Sequence, residues 1–114
     1  MNPMIIRAAD LKENDYGHIK LSNIINDEDY GKFSLALSKQ IDDNIKLGAD
    51  SESDTAYYVL EGSGKYIIEG REFTLDKGDT IFLPSGTKYK SLKGLTLLIV
   101  SSPRFDRAKR KYFE

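Results

Sequence analysis

The chain has no cysteine and a single histidine, His18, among its 114 residues. The first absence excludes disulfides, thiolate nucleophiles and cysteine-based zinc or iron–sulfur sites, and it suits a reducing compartment. No uninterrupted apolar run is long enough to cross a bilayer as a helix, and the start, MNPMIIRAAD, lacks the apolar stretch of a signal peptide. A cytoplasmic location is therefore expected, with no membrane contact. Neither sign of charge is in excess, with 17 Lys and Arg against 18 Asp and Glu, so no electrostatic commitment to nucleic acid is implied. Also missing are a nucleophile elbow, a phosphate-binding glycine loop and any Ser-His or Cys-His pairing.

What is present is the composition of one soluble globular domain, 39% hydrophobic and 31% charged, with seven Tyr and five Phe. Short apolar runs follow one another through the C-terminal two-thirds: FSLAL (33–37), YYVL (57–60), KYII (65–68), EFTL (72–75), TIFL (80–83) and LTLLIV (95–100). They are rich in β-branched and aromatic residues and are separated by EGSG, EG, DKGD, PSG and KG, which is turn chemistry. This spacing predicts an all-β sandwich or barrel of antiparallel strands. Within a single domain, 1–114, residues 1–30 form an N-terminal segment with an edge strand at HIKLSNII (18–25), 31–102 the barrel, and 103–114 a basic tail. AADLKEND has room for one helical turn, and the tail is expected to be solvated and to lie back on the barrel or on a second subunit.

A hairpin around Gly62-Ser63-Gly64 would put Tyr57 and Val59 on one face with Tyr66 and Ile68. That face is the candidate interior. Tyr58, Leu60 and Ile67 would then form an outer apolar face, covered by a partner subunit or by the N-terminal segment. In the first strand, the alternation Phe33, Leu35, Leu37 places Lys39 on the same face, where a barrel-mouth lysine would attract an anion or reach to solvent.

The run YYVLEGSGKYIIEGREFTLDKGDTIFLPSGTKY, 57 to 89, resembles the cupins, whose double-stranded β-helix is a jelly-roll barrel of two antiparallel sheets. The family's second motif is Gly, five residues, Pro, one, Gly, two, His, three, Asn. Gly78, Pro84 and Gly86 match it in register, while Tyr89 stands at the histidine position and Lys93 at the asparagine position. Taking Gly62 as the last glycine of the first motif puts Thr55 at its glutamate. Its two histidines then become Ala49 and Ser51, or Gly48 and Asp50 with the longer spacing. The metal held by three histidines and one glutamate in many cupins has no such ligand set here, so no metal cofactor is expected.

The alternation Asp50, Glu52, Asp54 offers an oxygen site for a hard cation if those carboxylates face inward, and a solvated polar loop if they do not. The register leaves a mouth lined by Tyr57, Tyr66 and Tyr89, with Thr55 and Asp50 beside them. Each tyrosine also has a plain reading as packed core with its hydroxyl satisfied. The expected function is metal-free binding of a small polar metabolite, carbohydrate or carboxylate-like, by a homodimer. The alternative is an isomerase, epimerase or lyase, with Tyr89 as acid/base or with a cation held by carboxylates.

Overall fold

The computed structural model describes residues 2–43 and 46–113. Ten strands carry the fold: β1 (Glu13–Asp15), β2 (Ile19–Ile25), β3 (Ser34–Gln40), β4 (Gly48–Asp50), β5 (Asp54–Ile68), β6 (Arg71–Asp76), β7 (Thr80–Leu83), β8 (Tyr89–Ser91), β9 (Leu95–Ser102) and β10 (Arg110–Tyr112). Among the described residues the helical content is two short 3₁₀ turns, Ala8–Asp10 and Arg107–Lys109. No helix among the described residues is long and apolar enough to cross a membrane.

All pairings are antiparallel, and the strands curl into two facing sheets that share β5. One sheet runs β1-β2-β3-β9-β5-β7. The other runs β10-β4-β8-β5-β6. This is a jelly-roll barrel of two antiparallel sheets, the fold that the resemblance to the cupins implies.

The strand β5 corrects the sequence reading most. YYVL and KYII do not fold back on each other around EGSG; they are the two halves of one 15-residue strand that passes from the first sheet into the second. A register shift between Val59 and Glu61 changes which side chains point inward, so that Tyr57 and Val59, then Tyr66 after the bulge, are all buried. Residues chosen for turn chemistry here serve a crossing of backbones: Gly62 and Gly64 lie against the main chain of Gly94 and Lys93.

At the chain ends one edge moves and the tail, which lies back on the barrel, does so as a paired strand rather than a solvated segment. HIKLSNII forms β2, but β1 pairs outside it and takes the edge. The basic tail becomes β10, paired with β4 in the register Arg110↔Asp50. Further bonds tie it down: Ser51 N and Oγ both donate to the Lys109 carbonyl, and Phe113 N donates to that of Leu47.

The apolar core is small. Val59 and Leu97 have no exposure, and with Ile81 and Leu95 they pack beneath Tyr57, Tyr66, Leu83 and Tyr89. Apart from Gly48 and Ala49, the other buried positions among the described residues are polar, among them Ser38, Gln40, Ser53, Thr55, Ser91 and Ser101. An apolar plug therefore fills one part of the barrel and a polar-walled space the rest.

That division explains the inverted face of β3. Ser34, Ala36 and Gln40 line the cavity and Ser38 is fully buried on the same face, while Leu35 and Leu37 pair with Val100 and Leu98 on the outer side. In a barrel with a polar cavity, the more hydrophobic face of a strand need not be the inner one.

Candidate functional site

A cavity of about 820 Å³ occupies the polar part of the barrel. Tyr57 and Thr55 reach it from the first half of β5, Tyr66 from the second half, Tyr89 from β8, Asp50 from β4 and Arg110 from β10. Of the residues singled out in the sequence for a ligand, Tyr57, Tyr66, Tyr89, Thr55 and Asp50 thus converge on one space.

The three tyrosines pack as a unit. Tyr66 and Tyr89 stack with rings 5° from parallel and centroids 5.9 Å apart, and Tyr57 meets Tyr66 edge-on at 5.8 Å. Their hydroxyls are not equivalent. Tyr57 and Tyr89 are hydrogen-bonded to each other at 2.8 Å, and Arg110 Nη1 donates to Tyr89 Oη at 2.5 Å. A guanidinium only donates, so the Tyr89 oxygen accepts from it and joins two elements that are far apart in sequence. The Arg110 head also lies 4.8 Å from the Tyr89 ring centroid and 5.5 Å from that of Tyr112, within cation–π range.

Burial, reinforced by the neighbouring Tyr89, raises the Tyr57 hydroxyl well above the usual phenol pKa. Tyr66 is raised for the same first reason. Burial works against the charge of Arg110, but Tyr89 and Tyr57 outweigh it and its pKa is raised, so the guanidinium stays cationic.

Room for that guanidinium comes from Gly48, the residue paired with Tyr89 across β4 and β8. A Cβ there would stand 3.0 Å from Arg110 Nη2 and 2.9 Å from the Lys111 carbonyl oxygen. Asp50, two residues on, is only 8% exposed. Its Oδ1 accepts from the main-chain N–H of Glu52 and Ser53 at 2.9 and 2.8 Å, its carbonyl accepts from Gly86 N at 2.7 Å, and Oδ2 has no partner.

The motif residues Pro84 and Gly86 act through this last contact. Thr87 N and Oγ1 both close on the Pro84 carbonyl, and Gly86, at a φ of +84°, points its N–H at β4. The bend thereby fixes Asp50 as well as aiming the chain toward Tyr89. Gly78 sits in the turn between β6 and β7 and donates its N–H to Val59.

Two expectations need correction. Lys39 is not at the mouth: it lies on the outer face, about half exposed, 3.7 Å from Glu13. Such a pair contributes little, so Lys39→Ala is expected to shift the denaturation midpoint by no more than about 0.5 kcal/mol and to leave ligand affinity unchanged. The carboxylates of Asp50, Glu52 and Asp54 do not converge either. Glu52 faces Lys109 at 3.8 Å, and Asp54 accepts from Ser85 N. Among the described residues no three His, Cys, Asp or Glu side chains are grouped to hold a metal ion.

The sequence reading missed Arg110 and a ring of hydroxyl and amide groups. Thr55 Oγ1 and Ser101 Oγ lie 3.1 Å apart, and Gln40 accepts from Ser91 Oγ at 3.0 Å while donating to Ser38 at 3.2 Å. The available signal was the period-two alternation Arg110-x-Tyr112 in the tail, which is strand-like once its basic character is set aside.

Comparison with known proteins supports the barrel. The cupin-domain family profile matches residues 48–91, from β4 through β8. An uncharacterized protein of Methanocaldococcus jannaschii is 42% identical over 38 residues, which is 33% of this chain and 30% of that relative. Among solved structures, the Streptomyces nucleoside dehydratase Pac13 superposes with a TM-score of 0.87 at 12% identity, over 99% of this chain and 92% of that one. Forms of Pac13 with uridine are equally similar. KdgF from Halomonas sp. gives 0.77 at 19% identity, over 94% and 99% of the two chains. The ectoine synthase of P. lautus gives 0.72 at 16%, over 90% and 80%. At these identities the likeness is one of fold.

Proposed function

We propose that this chain, a small cupin, binds a small polar metabolite, carbohydrate or carboxylate-like, in its barrel without a bound transition metal. The observation that carries the reading is the interior itself. A barrel serving only as scaffold would close its core with apolar side chains, whereas here about 820 Å³ is walled by tyrosines, hydroxyls, carboxylates and guanidiniums. Tyrosine faces and hydroxyls suit hydroxylated rings. The positions matching the metal ligands of other cupins, Ala49 and Ser51 or Gly48 and Asp50, with Thr55 and Tyr89, supply no imidazole.

A thermal-shift series across sugars, nucleosides and organic acids tests this. A ligand at about a hundred times its Kd stabilises the native state by about 2.7 kcal/mol, which raises Tm by several degrees. Absence of any shift across all three classes would remove the reading. A stoichiometric transition metal in protein purified without chelators would remove its metal-free part.

A second reading, proton transfer by Tyr89 in an isomerase, epimerase or lyase, is favoured by the Arg110–Tyr89–Tyr57 hydrogen-bond chain and by enzymes among the structures of similar fold. Tyr89→Phe separates the two. If turnover falls roughly 10²-fold or more while affinity holds, the hydroxyl moves a proton; parallel loss of both assigns it to binding.

The same proposal includes a homodimer formed through the outer face of the first sheet. There Phe82 and Val100 flank Ala56 in the register, with Tyr58 two residues further along the same face of β5 and Phe82 63% exposed. Sedimentation of the wild type and of Phe82→Glu would decide: a wild-type monomer, or a dimer that survives the added charge, contradicts this interface.

A further inference from the structure

Among the charged side chains that line the cavity, Asp50 and Arg110 face it without pairing with each other. Asp50 and Arg110 are direct partners in the β4–β10 register, and both line the space. Among the described residues, however, no ion pair joins Arg110 to any carboxylate. Asp50 is more than nine-tenths buried, its Oδ1 is engaged by two main-chain amides, and its Oδ2 has no hydrogen-bond partner. Arg110 commits Nη1 to Tyr89, and its Nη2 lies in the space that a side chain at Gly48 would fill.

A buried carboxylate oxygen without a donor is among the more costly features a fold retains, and such exceptions mark a site completed by something else. An arginine whose fork is not occupied by protein acid is built to receive one, since two of its N–H groups can grip a carboxylate together. The two side chains stand on adjacent strands, so a single small molecule reaches both. They also differ in what they accept: Asp50 Oδ2 takes a donor, Arg110 takes an anion.

Resting on the metabolite-binding reading above, we propose that Asp50 and Arg110 together select a small amphoteric ligand. Its carboxylate lies on Arg110 and a hydroxyl or ammonium group on the same molecule donates to Asp50 Oδ2, with the body of the ligand against the tyrosines. Neutral polyols satisfy only Asp50, and simple acids satisfy only Arg110. Ligands bearing both groups therefore bind best.

Four probes of matched length test this by calorimetry and thermal shift on the full chain. Gluconate and 6-aminohexanoate carry both groups, sorbitol carries only hydroxyls, and hexanoate only the acid. At least one of the first two is expected to bind about tenfold or more tighter than sorbitol and hexanoate. Arg110→Gln should bring that probe down to the level of sorbitol. Asp50→Asn, which keeps the Oδ1 acceptor for both amides and so the local turn, should bring it down to the level of hexanoate. Arg110→Lys keeps the charge and controls for simple loss of β10. The proposal is overturned if sorbitol binds as well as gluconate and 6-aminohexanoate, or if both substitutions leave the order of affinities unchanged. It is overturned equally if neither bifunctional probe binds while neutral sugars or nucleosides do, although binding of a polar metabolite then stands. Silence from every probe and every compound of the wider series removes both.

Discussion

Alanine in place of Gly62 is expected to cost roughly 3–5 kcal/mol, a large part of the 5–15 kcal/mol that holds a domain of this size together. Two effects add. Gly62 has a φ of +85°, where an L side chain costs about 1–2 kcal/mol. A Cβ there would also stand 2.0 Å from the Gly94 carbonyl oxygen, in backbone that cannot swing away like a side chain. Gly94 is caught in the same way, with a φ of +108° and a Cβ position 2.3 Å from the Ser63 carbonyl oxygen. Gly70 provides the comparison, because its φ of +78° carries similar strain while nothing lies within 4 Å of its Cβ position. Urea denaturation of the two alanine variants should show Gly70→Ala losing only about 1–2 kcal/mol. Equal losses would mean that close approach of the strands contributes nothing.

The same glycines show why the sequence was readable only in part. Gly78, Pro84 and Gly86 carry their meaning locally, and with them come the family resemblance, the barrel and the aim of Tyr89. Tyr57, Val59, Ile81 and Leu83 alternate cleanly and are buried as alternation requires. EGSG, in contrast, has the composition of a turn, and nothing within it reveals that Gly94, far along the chain, fills the space where side chains would be. Lys39 was placed by hydrophobicity, which names the inner face only when the interior is oily. Here Ser38 and Gln40 are buried beside a polar cavity. Arg110 sits in a segment whose charge suggests solvent, and its burial depends on pairing with β4 and on the empty side of Gly48, both non-local facts.

Alkaline pH should unfold this protein more steeply than ordinary surface titration explains. The hydroxyls of Tyr57 and Tyr66 are raised well above the usual phenol value by burial, whereas in the unfolded chain they titrate near pH 10. Below that point both states keep their protons and stability is intact. Above it the unfolded chain releases protons that the folded chain retains, so stability falls by roughly 1.4 kcal/mol per pH unit for each tyrosine until the folded pKa is reached. Two such groups give roughly 2.7 kcal/mol per unit. Urea midpoints measured from about pH 8 to about pH 11 would record the slope, and tyrosinate absorbance would show whether the two protons leave only with unfolding. Tyr66→Phe should remove about half of the excess slope, and lysine titration cancels in that comparison. A slope indifferent to Tyr66→Phe would mean that its hydroxyl ionises in the folded barrel. The consequence reaches the site: phenols that hold their protons this firmly cannot pass them to a ligand near neutral pH. Tyr89, the one of the three in contact with Arg110, is the hydroxyl whose part in proton transfer the Tyr89→Phe variant tests.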